Sequence, residues 1–90
     1  MSAMKTPEIL IYTSTICPYC IMAKRLLNKK SAHYNEINVD REVGMREKMM
    51  RESKRRTVPQ IFIADQHIGG FDELYALEIN QQLDTLLKPS

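Results

Sequence analysis

Two cysteines three positions apart are the residues of this sequence with the clearest capacity for chemistry. Cys17 and Cys20 stand in the stretch TICPYC, residues 15–20, and they are the only cysteines among 90 residues. Such a pair can form a structural disulfide, supply half of a metal site, or act as a redox couple that exchanges disulfide bonds with a substrate.

A redox couple fits the sequence better than the two alternatives. A disulfide between these cysteines would close a very short loop, and the stabilisation from a disulfide grows with loop length. A structural zinc site normally has four ligands, often with a second pair at comparable spacing, and the sequence has no such pair. The two histidines, His33 and His67, are isolated and are interpreted as surface or turn residues. We therefore expect no metal.

The residues after Cys17 predict a helix that makes the two cysteines unequal. Proline is favoured at a first helical position, so the helix is expected from Pro18 to Lys30. Its apolar residues recur at helical spacing and form one core-facing stripe: Cys20, Ala23, Leu26 and Leu27. Cys17 then lies at the N-cap, where free N–H groups and the helix dipole stabilise a thiolate. Cys17 is the predicted nucleophile and Cys20 the resolving cysteine.

The remaining elements predict a single α/β domain spanning residues 1–90. Hydrophobic runs and turn signals predict strands at 8–12, 34–39, 60–64 and 67–68, a helix at 41–53 with Asp40 as N-cap, a turn at Asp65-Gln66, and helices at 71–77 and 79–87. A strand–helix–strand unit implies a parallel pair with a right-handed crossover, and the later hairpin makes the sheet mixed. Met45 and Met49 are expected to fill the core.

Composition and charge exclude several classes of function. The chain has 43% hydrophobic and 27% charged residues, as globular proteins do. No apolar run is long enough to span a bilayer or resembles a secretion signal, so we expect a cytoplasmic protein without a membrane partner. The basic run RESKRR, residues 51–56, is the only candidate for nucleic-acid binding, and it is interpreted as a solvated helix end.

Two further stretches carry weaker signals. Val58-Pro59 precedes the apolar run QIFI, where proline is an ordinary strand start. Gly69-Gly70 opens a helix whose free N–H groups can hold a carboxylate, although any turn uses glycine. From the residues alone, Asp72 is a first-turn acid that stabilises its own helix.

Taken together, CPYC at 17–20, TVPQIFI at 57–63 and GGFDELYAL at 69–77 resemble the dithiol glutaredoxins of bacteria, and the resemblance extends from Glu8 to about Leu87. It implies a thioredoxin fold with a four-stranded mixed sheet flanked by helices. It also implies a cis Val58–Pro59 bond that faces Cys17. The implied activity is that of a glutathione-dependent enzyme, a thiol-disulfide oxidoreductase that reduces protein disulfides and glutathione mixed disulfides.

The resemblance further implies where glutathione, as reductant and co-substrate, would bind. The backbone of Val58 would pair with its cysteinyl part, the N–H groups of Phe71 and Asp72 would hold its γ-glutamyl carboxylate, and Asp72 would lie near its amino group. Arg56, with Arg55 as second choice, would attract its glycyl carboxylate. The full implied glutathione site is Tyr19, Arg56, Thr57, Val58, Pro59, Gly70, Phe71 and Asp72.

Two departures and one rival accompany this interpretation. Many glutaredoxins have lysine three residues before the first cysteine, where this chain has Ser14. The run SKRR, residues 53–56, also stands where a Ser-Gly or Gly-Gln pair is common, and Lys54 in it is the candidate to replace the missing charge. The rival is a dimer that binds an iron–sulfur cluster through Cys17 and two glutathiones, mostly seen with motifs lacking the proline or second cysteine.

We expect a monomer whose partners are disulfide-containing or glutathionylated proteins and, indirectly, glutathione reductase. A thioredoxin-type reductase is disfavoured because a tryptophan usually precedes the cysteine motif of that family, and this chain has no tryptophan.

Overall fold

Four strands and four helices lie within residues 6–89, which are the residues that the computed structural model describes. In chain order they are β1 (Ile9–Thr13), α1 (Pro18–Lys29), β2 (Asn35–Asn38), α2 (Met45–Ser53), β3 (Gln60–Ile63), β4 (Gln66–Gly69), α3 (Phe71–Ile79) and α4 (Leu83–Leu87). Each predicted strand and helix is present, so the order expected from the sequence is confirmed.

The strands form a mixed sheet in the order β2-β1-β3-β4, four strands within the described range. β1 pairs with β2 in parallel, through the crossover that contains α1. β1 and β3 are antiparallel, and so are β3 and β4. This arrangement confirms the α/β class and the mixed sheet.

Alternate residues of β1 face opposite sides of the sheet and build two cores. Ile9 and Ile11 pack with buried residues of α1, α3 and α4, among them Leu27, Leu74 and Leu83. On the other side lies a smaller cluster of Tyr12, Val39 and Met49, with partly buried neighbours such as Leu10 and Phe62. Three helices therefore cover one face, and α2 covers part of the other.

Helix α1 begins where its sequence predicted. Cys17 is the N-cap residue and Pro18 the first helical residue. Cys20, Ala23 and Leu27 are buried, so the predicted stripe faces the core. At the other end of α1, Lys30 Nζ lies 2.7 Å from Glu78 Oε1 and 2.9 Å from Asp84 Oδ1, which ties α1 to α3 and α4.

The predicted start of α2 is wrong. Asp40 does not cap this helix, which begins at Met45 after Gly44, a residue with φ of +81°. The carboxylate of Asp40 instead accepts a hydrogen bond from the N–H of Thr15 (3.0 Å) and pairs with Arg46 (2.8 Å). Because its oxygens bond to Thr15 and Arg46, Asp40 does not cap the N–H groups that follow it, and residues 41–44 form a turn before the helix.

Two other boundaries also differ from the prediction. The turn between β3 and β4 is formed by Ala64 and Asp65, both with positive φ, as tight hairpin turns require, and Gln66 already belongs to β4. The last predicted helix, 79–87, is confined to Leu83–Leu87, because α3 continues to Ile79 and Gln81 adopts a φ of +61° between the two helices.

Within residues 6–89, no helix has both the length and the apolar character needed to cross a membrane.

A matched pair of methionine substitutions tests the packing of α2. Met49 is fully buried, so Met49→Ala should lower the free energy of unfolding by about 2–5 kcal/mol. Met22 on α1 is 41% exposed, and Met22→Ala should change it by about 0.5 kcal/mol or less. Urea unfolding of both variants measures the difference. Equal losses would contradict the burial of Met49.

Candidate active site

The two cysteines lie at the start of α1 and are joined by a disulfide in this structure. Cys17 has an extended backbone, and its Sγ accepts a hydrogen bond from the N–H of Cys20 at 3.1 Å. Cys17 is half-buried, whereas Cys20 is 2% exposed. An incoming sulfur can therefore approach Cys17 more readily than Cys20.

The loop that leads into the cysteine motif is held by β2 and the turn after it. Besides the bond from the N–H of Thr15 to Asp40, the amide of Asn38 donates to Thr15 Oγ1 at 3.5 Å. The pKa of Asp40 lies below its usual value, chiefly because the Thr15 N–H bonds the carboxylate and also because Arg46 pairs with it. The charged form of Asp40 thus stabilises the loop before Cys17.

A second loop, between α2 and β3, faces the cysteines. The Val58–Pro59 peptide bond is cis, as the resemblance implied, and Pro59 is buried. The carbonyl oxygen of Val58 lies 3.7 Å from Cys17 Sγ. The backbone of this loop is therefore in contact with the sulfur that is predicted to react.

A groove of about 340 Å³ runs between this loop and the start of α3. Its lining contains all the predicted ligand residues except Arg56; the residues are Tyr19, Arg55, Thr57, Val58, Pro59, Gly70, Phe71, Asp72 and Glu73. Arg55, the second choice from the sequence, lines the groove where Arg56 was expected. Neither Ser14 nor Lys54 is among the lining residues.

Glu73 joins the two sides of the groove and was not predicted. Its Oε1 accepts a hydrogen bond from the N–H of Gly70 at 2.7 Å and lies 3.1 Å from Arg55 Nη1. The Gly70 N–H, together with Arg55, holds the pKa of Glu73 below its usual value. A Glu three positions after a helix N-cap is a known capping signal and could have identified Glu73 from the sequence.

Glycine at position 69 makes this contact possible. Gly69 has a φ of +122°, which residues with side chains rarely adopt. A Cβ at this position would lie 2.6 Å from Glu73 Oε1. A larger residue would therefore displace the carboxylate that bonds Gly70 and Arg55.

Aromatic rings form one wall of the groove. Tyr19 is 58% exposed, and its ring centroid lies 6.4 Å from that of Phe71. Phe71 stacks in turn on Tyr75 at 5.6 Å. The groove thus combines an apolar wall with backbone N–H groups and charged side chains.

The interpretation of His67 as a surface or turn residue is wrong. His67 is half-buried on β4, its ring packs against Phe62 with centroids 4.9 Å apart, and its Nε2 lies 2.7 Å from Gln60 Oε1. The buried Gln60 was also missed. His33 is exposed, as predicted.

A larger cavity, about 490 Å³, lies on the α2 side of the sheet and is separate from the cysteines. Its lining includes Leu10, Lys48, Glu52 and Phe62 and none of the groove residues. Among residues 6–89, no three His, Cys, Asp or Glu side chains are grouped so that they could hold a metal ion.

The charge of Asp40 should make stability depend on pH in a defined direction. Because its pKa in the folded protein lies below the unfolded value of about 3.9, its contribution is complete above that value and is lost as pH falls through the folded pKa. Asp40→Asn should therefore lower the melting temperature at pH 7, and its difference from the wild-type protein should shrink in strong acid.

Melting curves recorded between about pH 7 and about pH 2.5 measure this difference. Arg46→Ala provides the comparison, and it should have a smaller effect because the Thr15 N–H is the larger cause of the lowered pKa. A difference between Asp40→Asn and the wild-type protein that stays constant over this range would contradict the role of the Asp40 charge.

Similarity to known proteins agrees with this geometry. The sequence model described as Glutaredoxin matches residues 9–68. The chain is 53% identical to "Glutaredoxin 3" of Escherichia coli over 78 residues, which cover 87% of this chain and 94% of that protein. It is 46% identical to "Glutaredoxin" of Pseudomonas aeruginosa over 81 residues, covering 90% and 96% of the two proteins.

Solved structures show the same fold. The glutaredoxin of Brucella melitensis has a TM-score of 0.81 at 47% identity, covering 97% of this chain and 92% of that one. The buckwheat glutaredoxin–glutathione complex has a TM-score of 0.84 at 28% identity, covering 90% and 76%. The thioredoxin fold is thereby confirmed. The chain belongs to the glutaredoxin family, and its Cys17–Cys20 pair is the redox couple of a thiol-disulfide oxidoreductase.

Proposed function

We propose that this oxidoreductase uses glutathione as its reductant and acts on protein disulfides and on glutathione mixed disulfides. The observation that carries the proposal is the groove beside Cys17, whose lining offers backbone and side-chain groups that suit each part of glutathione. The similar buckwheat protein was solved as a complex with glutathione, which supports the same ligand here.

The backbone groups of the groove suit the peptide character of glutathione. The first N–H groups of a helix have no acceptor within the helix, and they stabilise anions. In this proposal the N–H groups of Phe71 and Asp72 hold the γ-glutamyl carboxylate, and the Asp72 carboxylate lies near the ligand's amino group. The backbone of Val58 pairs with the cysteinyl residue in a strand-like manner, which directs the ligand sulfur toward Cys17.

We assign the glycyl carboxylate to Arg55 and not to Arg56. Arg55 lines the groove, and its guanidinium is oriented there by Glu73 at 3.1 Å. An arginine presents several donors, so it can bind a ligand carboxylate while it keeps its contact with Glu73. Arg56 is exposed and lies outside the lining.

With a glutathione mixed disulfide, the proposed reaction needs Cys17 alone. The Cys17 thiolate attacks the glutathione sulfur, the mixed disulfide breaks, and the substrate thiolate leaves and takes up a proton. Cys17 is now bonded to glutathione. The thiolate of a second glutathione attacks that glutathione sulfur, which forms glutathione disulfide and restores the Cys17 thiolate.

With a protein disulfide, both cysteines take part. Cys17 attacks one substrate sulfur and forms a mixed disulfide, and Cys20 then attacks Cys17 Sγ and releases the reduced protein. The product is the Cys17–Cys20 disulfide seen in this structure. Two glutathione molecules return it to the dithiol and leave as glutathione disulfide, which glutathione reductase recycles. We place this cycle in the cytoplasm, where glutathione keeps thiols reduced.

A coupled assay with glutathione, glutathione reductase and a glutathionylated small substrate tests this function. The wild-type protein and Cys20→Ser should both turn over, because deglutathionylation uses Cys17 alone, and Cys17→Ser should lose activity. With a protein disulfide as substrate, Cys17→Ser and Cys20→Ser should both lose most activity, because that reaction uses both cysteines.

Thioredoxin reductase in place of glutathione and its reductase is the control for the electron source. Efficient turnover with thioredoxin reductase and none with glutathione would refute glutathione dependence. Equal loss of deglutathionylation in Cys17→Ser and Cys20→Ser would refute the division of roles.

Two neighbouring arginines form a matched pair for the ligand assignment. Arg55→Gln should raise the KM for glutathione about three- to tenfold, because a charge-assisted hydrogen bond at a half-exposed site is lost, with little change in kcat. Arg56→Gln removes the same charge outside the groove and should change the KM less than about twofold. Steady-state kinetics at varied glutathione concentration measure both KM values. A larger increase in Arg56→Gln than in Arg55→Gln would assign the carboxylate contact to Arg56 instead.

A further inference from the structure

Gln60 is an unusual residue for its position. It begins β3, whose other residues Ile61, Phe62 and Ile63 belong to the cores, and its side chain has no exposed surface. Burying an amide in an apolar environment is unfavourable unless its polar atoms are hydrogen-bonded. Each polar atom of this side chain must therefore have a partner.

The amide of Gln60 connects the α2–β3 loop to β4. Its Nε2 donates to the carbonyl oxygen of Thr57 at 2.9 Å and to Thr57 Oγ1 at 3.2 Å. Its Oε1 lies 2.7 Å from His67 Nε2. Because Nε2 of Gln60 is the donor to Thr57, Oε1 must be the acceptor, and His67 must carry its proton on Nε2.

His67 is held in the orientation that this contact needs. Its ring lies against Phe62, with centroids 4.9 Å apart and planes inclined by 37°. Burial, and secondarily the nearby Arg55, lower the pKa of His67, which favours a neutral ring. A neutral imidazole carries one N–H, and the contact with Gln60 assigns it to Nε2.

The chain of contacts ends at the segment on which ligand binding depends. Thr57 is exposed, and it lies outside the strands, so no sheet hydrogen bonds fix it there. It is followed by Val58, whose carbonyl oxygen lies 3.7 Å from Cys17 Sγ. A shift of Thr57 would therefore move the backbone that contacts the reactive sulfur.

The other end of this loop is fixed separately. Ser53 Oγ donates a hydrogen bond to the carbonyl oxygen of Met49 at 2.7 Å and accepts one from the N–H of Arg55 at 3.1 Å. Ser53 thus holds the loop at Arg55, and Gln60 holds it at Thr57.

We propose that Gln60 and His67 are positioning residues for glutathione: His67 orients the Gln60 amide, which fixes Thr57 and thereby the Val58 backbone that pairs with the ligand. The inference rests on the proposed function and deepens it. Neither side chain is among those lining the groove, so both act through Thr57 and Val58.

Three variants test the chain of contacts. Gln60→Met keeps the size of the side chain and removes its hydrogen bonds, and His67→Phe keeps a ring against Phe62 and removes the N–H. Each should raise the KM for glutathione about three- to tenfold while kcat changes less than about twofold. Because both residues act in one chain, the double variant should be no worse than Gln60→Met.

Tyr12→Phe is the matched control. Tyr12 is buried on β1 opposite Gln60, and its hydroxyl donates to Glu52 at 2.7 Å, away from the groove. This variant also loses a partly buried hydrogen bond, so it should lower the melting temperature yet leave the KM for glutathione unchanged.

The outcomes separate this inference from the proposed function. An unchanged KM in Gln60→Met and His67→Phe, with a lowered melting temperature as in Tyr12→Phe, would overturn the positioning role and leave glutathione dependence standing. Strictly additive effects in the double variant would also overturn it. If Gln60→Met does not fold, His67→Phe alone decides. Absence of glutathione-dependent turnover in the wild-type protein would overturn both.

Discussion

The hydrogen bond from the N–H of Cys20 to Cys17 Sγ is the contact on which the rest of the site depends. It requires that Cys17 be the N-cap of α1, with its sulfur directed at the first turn. β1 must end shortly before Cys17, and α1 must bury Cys20 against the sheet. The same geometry leaves Cys17 open to an incoming sulfur, so one helix start sets both the electrostatics and the access.

The groove is assembled from segments that are distant in sequence. The loop before β3 contributes Val58 and Pro59, and the start of α3 contributes Gly70 to Asp72. The β3–β4 hairpin brings them together, and Glu73 bridges them by accepting hydrogen bonds from Gly70 and Arg55. A ligand in this groove would be in contact with both segments, so its recognition depends on the hairpin as much as on the cysteine motif.

Local patterns in the sequence predicted most of the fold because each helix and strand depends on nearby residues. Pro18 and the apolar spacing after it located α1, and resemblance located most of the groove. Contacts between residues that are distant in sequence were not predicted. Asp40 could cap the next helix or reach Thr15, 25 residues earlier, and only the parallel pairing of β1 with β2 decides between them. Likewise, Gln60 meets His67 only through the hairpin register, which has an irregularity at Ile61–Phe62.

The two edge strands of the sheet, β2 and β4, affect whether the protein can aggregate by strand pairing. β2 and β4 are each four residues long, and the sequence of β2, NEIN, is mostly polar. Glu36 on β2 also pairs with Lys24 at 3.1 Å, which places charge beside that edge. Short, polar or charged edge strands are poor templates for pairing with another chain. The sheet that holds the redox site is therefore protected against edge-to-edge aggregation when the protein is concentrated.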